Sequence, residues 1–483
     1  MRISVAVGFA AWAALAWPLG AKQPTGAARA WIELARADVA AALQLIEGSH
    51  PGATVELGDT GFQQLLRTAR ANADRRLPMV RDYYGHAALI NGLANDFRDG
   101  HIWSNPILSS SRRTWAGIIM ARRGGQWVVG TQEPAQGEPD LKGARLIACD
   151  GIDAKAFAAA RTGAFYAHPD IEADMAGRAY TLLLDDRNPF AARPVSCRFA
   201  IAGGQTVDHR LNWRPVAART LEKAIGETLE PANAGMGLTH FAGGQWIAIE
   251  TFSNAAAEVV SQVRVAQDTL RAAPMVVLDL RGNSGGNSQY AIDIARVLAG
   301  DARVAAAVRP SGNCSGTYWR VSPDNAAALR KFASELPVDR APEWVAQSQT
   351  LDRAVTAGRV FSPDLPACAR APSPPAKPAK LPPSAMNGRL VLLTDRACFS
   401  SCLIAVDLFR RLGALHVGEA TDMSTRYMEV REIVLPSGLR TFSTLQKVAL
   451  GTGDYGPYAP SLAYPGALND DAQLKAWVAA LPR

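Results

Sequence analysis

None of the six cysteines stands at CxxC spacing to another, and none has a histidine within a few residues. A thiolate metal site is therefore not indicated. There is no Lys/Arg run interleaved with aromatic residues. The arginines are scattered, and the net charge is +7 with a pI near 9.2. That balance points to solubility and anionic surroundings, with no nucleic-acid partner. There is no internal repeat, and beyond about Leu19 no stretch is long and apolar enough to cross a membrane. What is abundant is apolar side chain: 48% of 483 residues, enough for a large core and against global disorder. The length suggests two to four domains.

Met1-Arg2 precedes an apolar run from Ile3 to about Leu19, followed by Gly20-Ala21-Lys22. A positive start, apolar middle and small-residue end read as a signal peptide over residues 1–21. The run is short for a span and contains Pro18, so cleavage near Ala21 is favoured over a membrane anchor. The expected location is exported, periplasmic or extracellular. An even cysteine count fits disulfides there. Proximity in sequence suggests Cys149–Cys197, Cys314–Cys368 and Cys398–Cys402.

Residues 22–112 read as a helical N-terminal region. Apolar residues recur at helical spacing from Ala27 to about Ala94, and a last helix from His86 to Phe97 stops at Gly100. His101 follows on an extended segment; histidine is the commonest general base near neutral pH, although a lone one is more often structural. Residues 113–203 read as a small β-rich unit. Within it Leu141-Lys142-Gly143-Ala144-Arg145 and Cys149-Asp150-Gly151-Ile152 resemble a PDZ domain, with Ala144 where that family usually has Asp. The resemblance implies that the unit could grip an extended substrate tail by strand addition. Residues 204–483 alternate strands and helices, the pattern of an α/β core. About 300–388 reads as an insertion ending in dense proline, from Pro363 to Pro383.

Two stretches of that core carry chemistry. Strand Arg389 to Asp395 runs through Ala397-Cys398-Phe399-Ser400-Ser401-Cys402 into an apolar helix. A serine at such a turn projects its hydroxyl beside free helix N–H groups, as a nucleophile requires; the plain alternative is that Ser400 or Ser401 caps the helix. The second stretch, Asp279-Leu280-Arg281-Gly282-Asn283-Ser284-Gly285-Gly286, follows a strand and opens a helix. It lacks both the ending of a phosphate loop and the spacing of a dinucleotide fingerprint. It reads as half of an oxyanion hole, as a Gly-x-Ser-x-Gly elbow with Ser284 as nucleophile, or as a tight turn.

The glycine loop, the strand-serine-helix turn and Val417-Gly418-Glu419-Ala420-Thr421 together resemble the C-terminal processing (tail-specific) serine peptidases and their tricorn-core relatives, over roughly residues 95–480. The resemblance implies a crotonase/ClpP-like α/β core with a helical N-terminal region and a PDZ-like insertion. It places the nucleophile at Ser400, with Ser401 as fallback, and the oxyanion donors at Gly285, Gly286 and Ser401. The processing peptidases take a lysine just beyond the Gly-Glu-x-Thr segment. Here that place holds Asp422-Met423-Ser424-Thr425-Arg426, and arginine does not give up its proton. The tricorn-like branch takes a histidine from before the PDZ-like unit, which implies His101. Its distant acid is best matched by Asp454, with Glu419 as runner-up.

The expected activity is that of an exported serine endopeptidase acting on proteins or peptides through an acyl-enzyme, without a cofactor or metal. The competing expectations are a non-catalytic peptide-binding protein on the same fold, and an esterase using Ser400 or Ser284.

Overall fold

The strand Met275–Asp279 is buried at every position and lies near the middle of the central sheet. It appears in a computed structural model that describes residues 27–107, 113–230, 232–308, 314–336, 341–370, 380–451 and 455–481. The expected signal peptide and Asp454 lie outside these. Being apolar on both faces, Met275–Asp279 must be covered on both, and its neighbours are parallel strands, as that pattern requires. The order across the sheet is Met236–Phe241, Gly244–Ile249, Met275–Asp279, Arg389–Thr394, Leu415–Gly418 and Leu462–Ala463. The first pair is antiparallel and the rest are parallel.

Helices Ala256–Val265, Gln289–Ala299 and Ser401–Arg411 cover one face of that sheet, burying Val260, Ile294, Leu298, Val406 and Phe409 against Val276, Leu278 and Leu392. The C-terminal helix Asp471–Ala479 covers the other through Leu474 and Val478. Asp470 caps this helix, accepting from the Gln473 N–H at 3.1 Å. The molecule is of the expected α/β class. All parallel strands point their C-terminal ends the same way, so the loops after Asp279 and Thr394 lie side by side. Ligands of such sheets sit there.

Two further units surround that edge. The N-terminal helices Ala27–Ser49, Thr60–Arg76 and Tyr83–Asn95 pack with the hairpin Tyr427–Val434 and Thr441–Leu450 in one apolar cluster. The expected insertion contributes to this unit. Its strand Gly316–Arg320 pairs with Thr441–Leu450, and it forms helices Pro323–Glu335 and Ala341–Thr356. It is thus mostly regular structure, with its proline-dense part confined to the end. The β-rich unit has the strand order Ile118–Arg123, Gln126–Gln132, Arg145–Cys149, Ser196–Ala200 and Thr206–Arg210, all antiparallel. It runs past residue 203, because the last strand completes the sheet. The three expected cysteine pairs are all bonded. Among the described residues, no helix is long and apolar enough to cross a membrane.

Candidate active site

Ser400 sits between strand Arg389–Thr394 and helix Ser401–Arg411, with φ 57° and ψ −123°. A non-glycine residue held there stores on the order of 1–3 kcal/mol of strain. The strain has a visible cause: the chain must reverse from sheet to helix within Asp395–Ser400, and the Cys398–Cys402 disulfide clamps both sides of the turn. Ser400 occupies the helix N-cap position but makes no capping hydrogen bond. Its Oγ lies instead 3.0 Å from His101 Nε2. The capping alternative therefore fails on geometry. The fallback Ser401 turns its hydroxyl away, donating to the Gly286 carbonyl at 2.6 Å.

His101 comes from a distant part of the chain. After helix Tyr83–Asn95 the backbone turns at Asp99, whose carboxylate accepts the His101 N–H at 2.9 Å. Residues 103–107 then run along the start of strand Thr441–Leu450. Ser443 N–H donates to the Trp103 carbonyl at 3.0 Å, and Ser443 Oγ donates to the His101 carbonyl at 2.8 Å. The imidazole packs on the Phe399 ring with centroids 4.4 Å apart. Gly100 lets that happen: a Cβ there would lie 2.8 Å from the Phe399 ring. Its role is this close approach more than the helix stop inferred from sequence.

The acid at the ring is Asp99. Its Oδ1 is 3.0 Å from His101 Nδ1, and its other oxygen accepts from Thr425 Oγ1. Burial would raise this carboxyl, but the His101 and Thr425 hydrogen bonds outweigh it and hold the carboxyl down at about 2. An ionised carboxylate only accepts hydrogen bonds, so Nδ1 carries the proton and Nε2 is left to accept from Ser400. Asp454, the acid expected from sequence, lies outside the described residues. Glu419, the runner-up, points elsewhere and pairs with Arg396 at 3.7 Å. The signal for Asp99 was present in Asp99-Gly100-His101, because an Asp two residues before an N–H commonly accepts it in an Asx-turn.

The glycine loop lies directly against the serine turn. A Cβ on Gly285 would fall 2.8 Å from Ser400 Cβ, and one on Gly286 would fall 2.3 Å from the Phe252 carbonyl oxygen. No other residue fits either place. The Gly285 N–H donates to Asn283 Oδ1 at 2.9 Å, so it is not available to an oxyanion as expected. The N–H groups of Gly286 and of Ser401, the first residue of its helix, have no such partner among the described residues. Ser284 is exposed on the loop. His416, the base an elbow there would need, is buried against Thr394 Oγ1 at 2.8 Å. His416 is thus not placed to serve Ser284 as a base. Arg426, in the place where a lysine base would stand, pairs with Asp59 at 2.9 Å.

Residues 246–453 match the model of the family described as Peptidase family S41. The match spans the glycine loop and Ser400, begins after His101 and covers less than half of the chain. No curated protein matches. Among solved structures, mature CPAF is similar over 93% of this chain and 97% of its own, at 13% identity and a TM-score of 0.58. Mature CPAF complexed with lactacystin is similar over 93% of this chain and 98% of its own, at 14% identity and a TM-score of 0.57. At such identities the likeness is one of fold.

Proposed function

We propose that this chain, a serine-type peptidase by its family S41 domain, hydrolyses peptide bonds through an acyl-enzyme formed on Ser400. The observation that carries the reading is the line Ser400 Oγ, His101 Nε2, His101 Nδ1, Asp99 Oδ1, with 3.0 Å at each hydrogen bond.

In this reading Ser400 Oγ attacks the substrate carbonyl carbon while its proton passes to His101 Nε2. Asp99 keeps Nδ1 protonated and stabilises the imidazolium so formed. The carbonyl oxygen becomes an oxyanion between the Gly286 and Ser401 N–H groups, where preorganised donors stabilise the charge as it develops. His101 then gives the Nε2 proton to the leaving amine as the C–N bond breaks. A water deprotonated by His101 attacks the ester and releases the acid, restoring Ser400. The base is a histidine, as in the tricorn-like branch. The β-rich unit, read as PDZ-like, holds an extended substrate tail, and the enzyme acts after export.

Digestion of a mixed peptide library by the wild type and by Ser400→Ala, read by mass spectrometry, tests the reading. Cleavage confined to the wild type is expected. Cleavage by both would move the nucleophile, and cleavage by neither would favour a peptide-binding protein. Amidating substrate C-termini should weaken cleavage where the β-rich unit holds the tail; unchanged cleavage would reject that role. Export predicts a mature N-terminus near Lys22, read by intact mass.

A further inference from the structure

The glycine loop and the serine turn approach each other at the C-terminal edge of the sheet, and few interactions join them. Phe399 N–H donates to the Asn283 carbonyl at 3.3 Å. Ser401 Oγ donates to the Gly286 carbonyl at 2.6 Å, and a third tie runs through one side chain. Asp395, just past strand Arg389–Thr394, accepts the Gly282 N–H on Oδ2 at 3.1 Å and the Ala397 N–H on Oδ1 at 3.0 Å. It is 4% exposed. One carboxylate therefore holds the first glycine of one loop and the chain three residues before Ser400. Both of its partners are donors, so these two hydrogen bonds favour the ionised form.

We propose that Asp395 is a positioning residue, whose two oxygens set the spacing between the glycine loop and the serine turn and so aim the Gly286 and Ser401 N–H groups at one oxyanion. The proposal rests on the reading of Ser400 as nucleophile. Asp395 touches no reacting atom. It acts through the two loops, and a small misalignment of oxyanion donors costs rate more than binding.

The surroundings make the tie pH-dependent. Asp395 lies beside a cavity of about 1170 Å³ between the core and the β-rich unit. Glu250 and Glu419, just past neighbouring strands, and Arg396 of the turn line the same cavity, as do Arg122, Arg123, Glu172 and Glu230. Burial pushes the Asp395 carboxyl up to about 7; Glu419 adds to this, while the Gly282 and Ala397 N–H groups and Arg396 oppose it. The tie is thus made above that pH and loosened below it.

The test is Asp395→Asn, an isostere of the neutral acid. At pH 8 kcat should fall roughly tenfold or more with KM within about twofold. The ratio of wild-type to variant kcat should shrink towards one by pH 6, because the wild-type carboxyl is then itself neutral. A purely structural role would lower both parameters at every pH. Equal kcat at pH 8, or a ratio that does not change with pH, would overturn the proposal. Amide exchange on the resting wild-type protein needs no variant. Protection over residues 280–286 and 395–401, corrected for intrinsic rates, should rise between pH 6 and 8 more than in strand Met275–Asp279. Flat protection there would also overturn the proposal. Ser400→Ala run beside these separates the two claims: activity surviving in it refutes the nucleophile and with it the catalytic role of Asp395, whereas exchange reports the tie alone.

Discussion

Among the described residues, two clusters bring serine, histidine and aspartate together, and they do so in different orders. In the first, His101 stands between Asp99 and Ser400. In the second, Asp38 stands in the middle: His86 Nε2 is 2.7 Å from Asp38 Oδ2, and Ser437 donates to Asp38 through both its N–H, at 2.8 Å, and its hydroxyl, at 2.6 Å. His86 and Asp38 are fully buried, and His86 Nδ1 has no hydrogen-bond partner among the described residues. There the carboxylate ends both chains of donors. The serine hydroxyl donates straight to the carboxylate, with no imidazole between them. The cluster pins the turn Pro436-Ser437-Gly438 to the N-terminal helices. Residue type and proximity are therefore poor guides to function. The order of the three groups, the accessibility of the serine and the backbone beneath it decide.

The comparison can be broken at several points. The largest effect is expected from Ser400→Ala, which should lower kcat by roughly 10⁴–10⁶ in a peptide-hydrolysis assay. Ser437→Ala in the same assay should leave kcat within about twofold. Equal losses would mean that the second cluster had been misread.

Asp99→Asn should lower kcat by roughly 10³–10⁴, because an amide no longer holds the proton on Nδ1. The same variant has a stability signature. Asp99 is held below its ordinary range, so its contribution is complete above about pH 4 and lost as pH falls through about 2. Unfolding free energies of wild type and variant should differ by roughly 2 kcal/mol at pH 6 and converge towards pH 2. A constant gap would show that the carboxylate is not stabilised as the geometry requires.

Gly100→Ala puts a methyl into the Phe399 ring that supports His101. It should cost roughly 10–100-fold in kcat through misplacement of the base, with little change in melting temperature. The smallest effect on rate belongs to His86→Leu. Removing a buried hydrogen bond to a charged acceptor should cost roughly 1.5–3 kcal/mol of stability, read by denaturant unfolding, with kcat unchanged.

Much of this was legible in the chain. Buried strands such as Met275–Asp279 announce themselves by continuous apolar residues, and the loops after them by glycine. The serine turn and glycine loop were visible because each is local. The three cysteine pairs followed from simple proximity. What failed was non-local or depended on backbone detail. Nothing near Asp99 says that its second oxygen meets Thr425 from the far end of the chain; the acid was sought downstream, at Asp454, because the tricorn-like pattern implies one there. Gly285 looked like an oxyanion donor because its spacing is right, but the Asn283 side chain two residues earlier folds back to take its N–H. The expected insertion was read from the proline at its end, and the stretch before that proline folds into helices and a strand. That strand completes a sheet begun more than a hundred residues later.

Active-site labelling with a fluorophosphonate, followed by peptide mapping, tests the central claim most directly. A single adduct on Ser400 in the wild type, lost in His101→Ala and retained in His86→Leu, is the predicted result. An adduct on Ser284 or Ser401, or undiminished labelling of Ser400 without His101, would contradict the account.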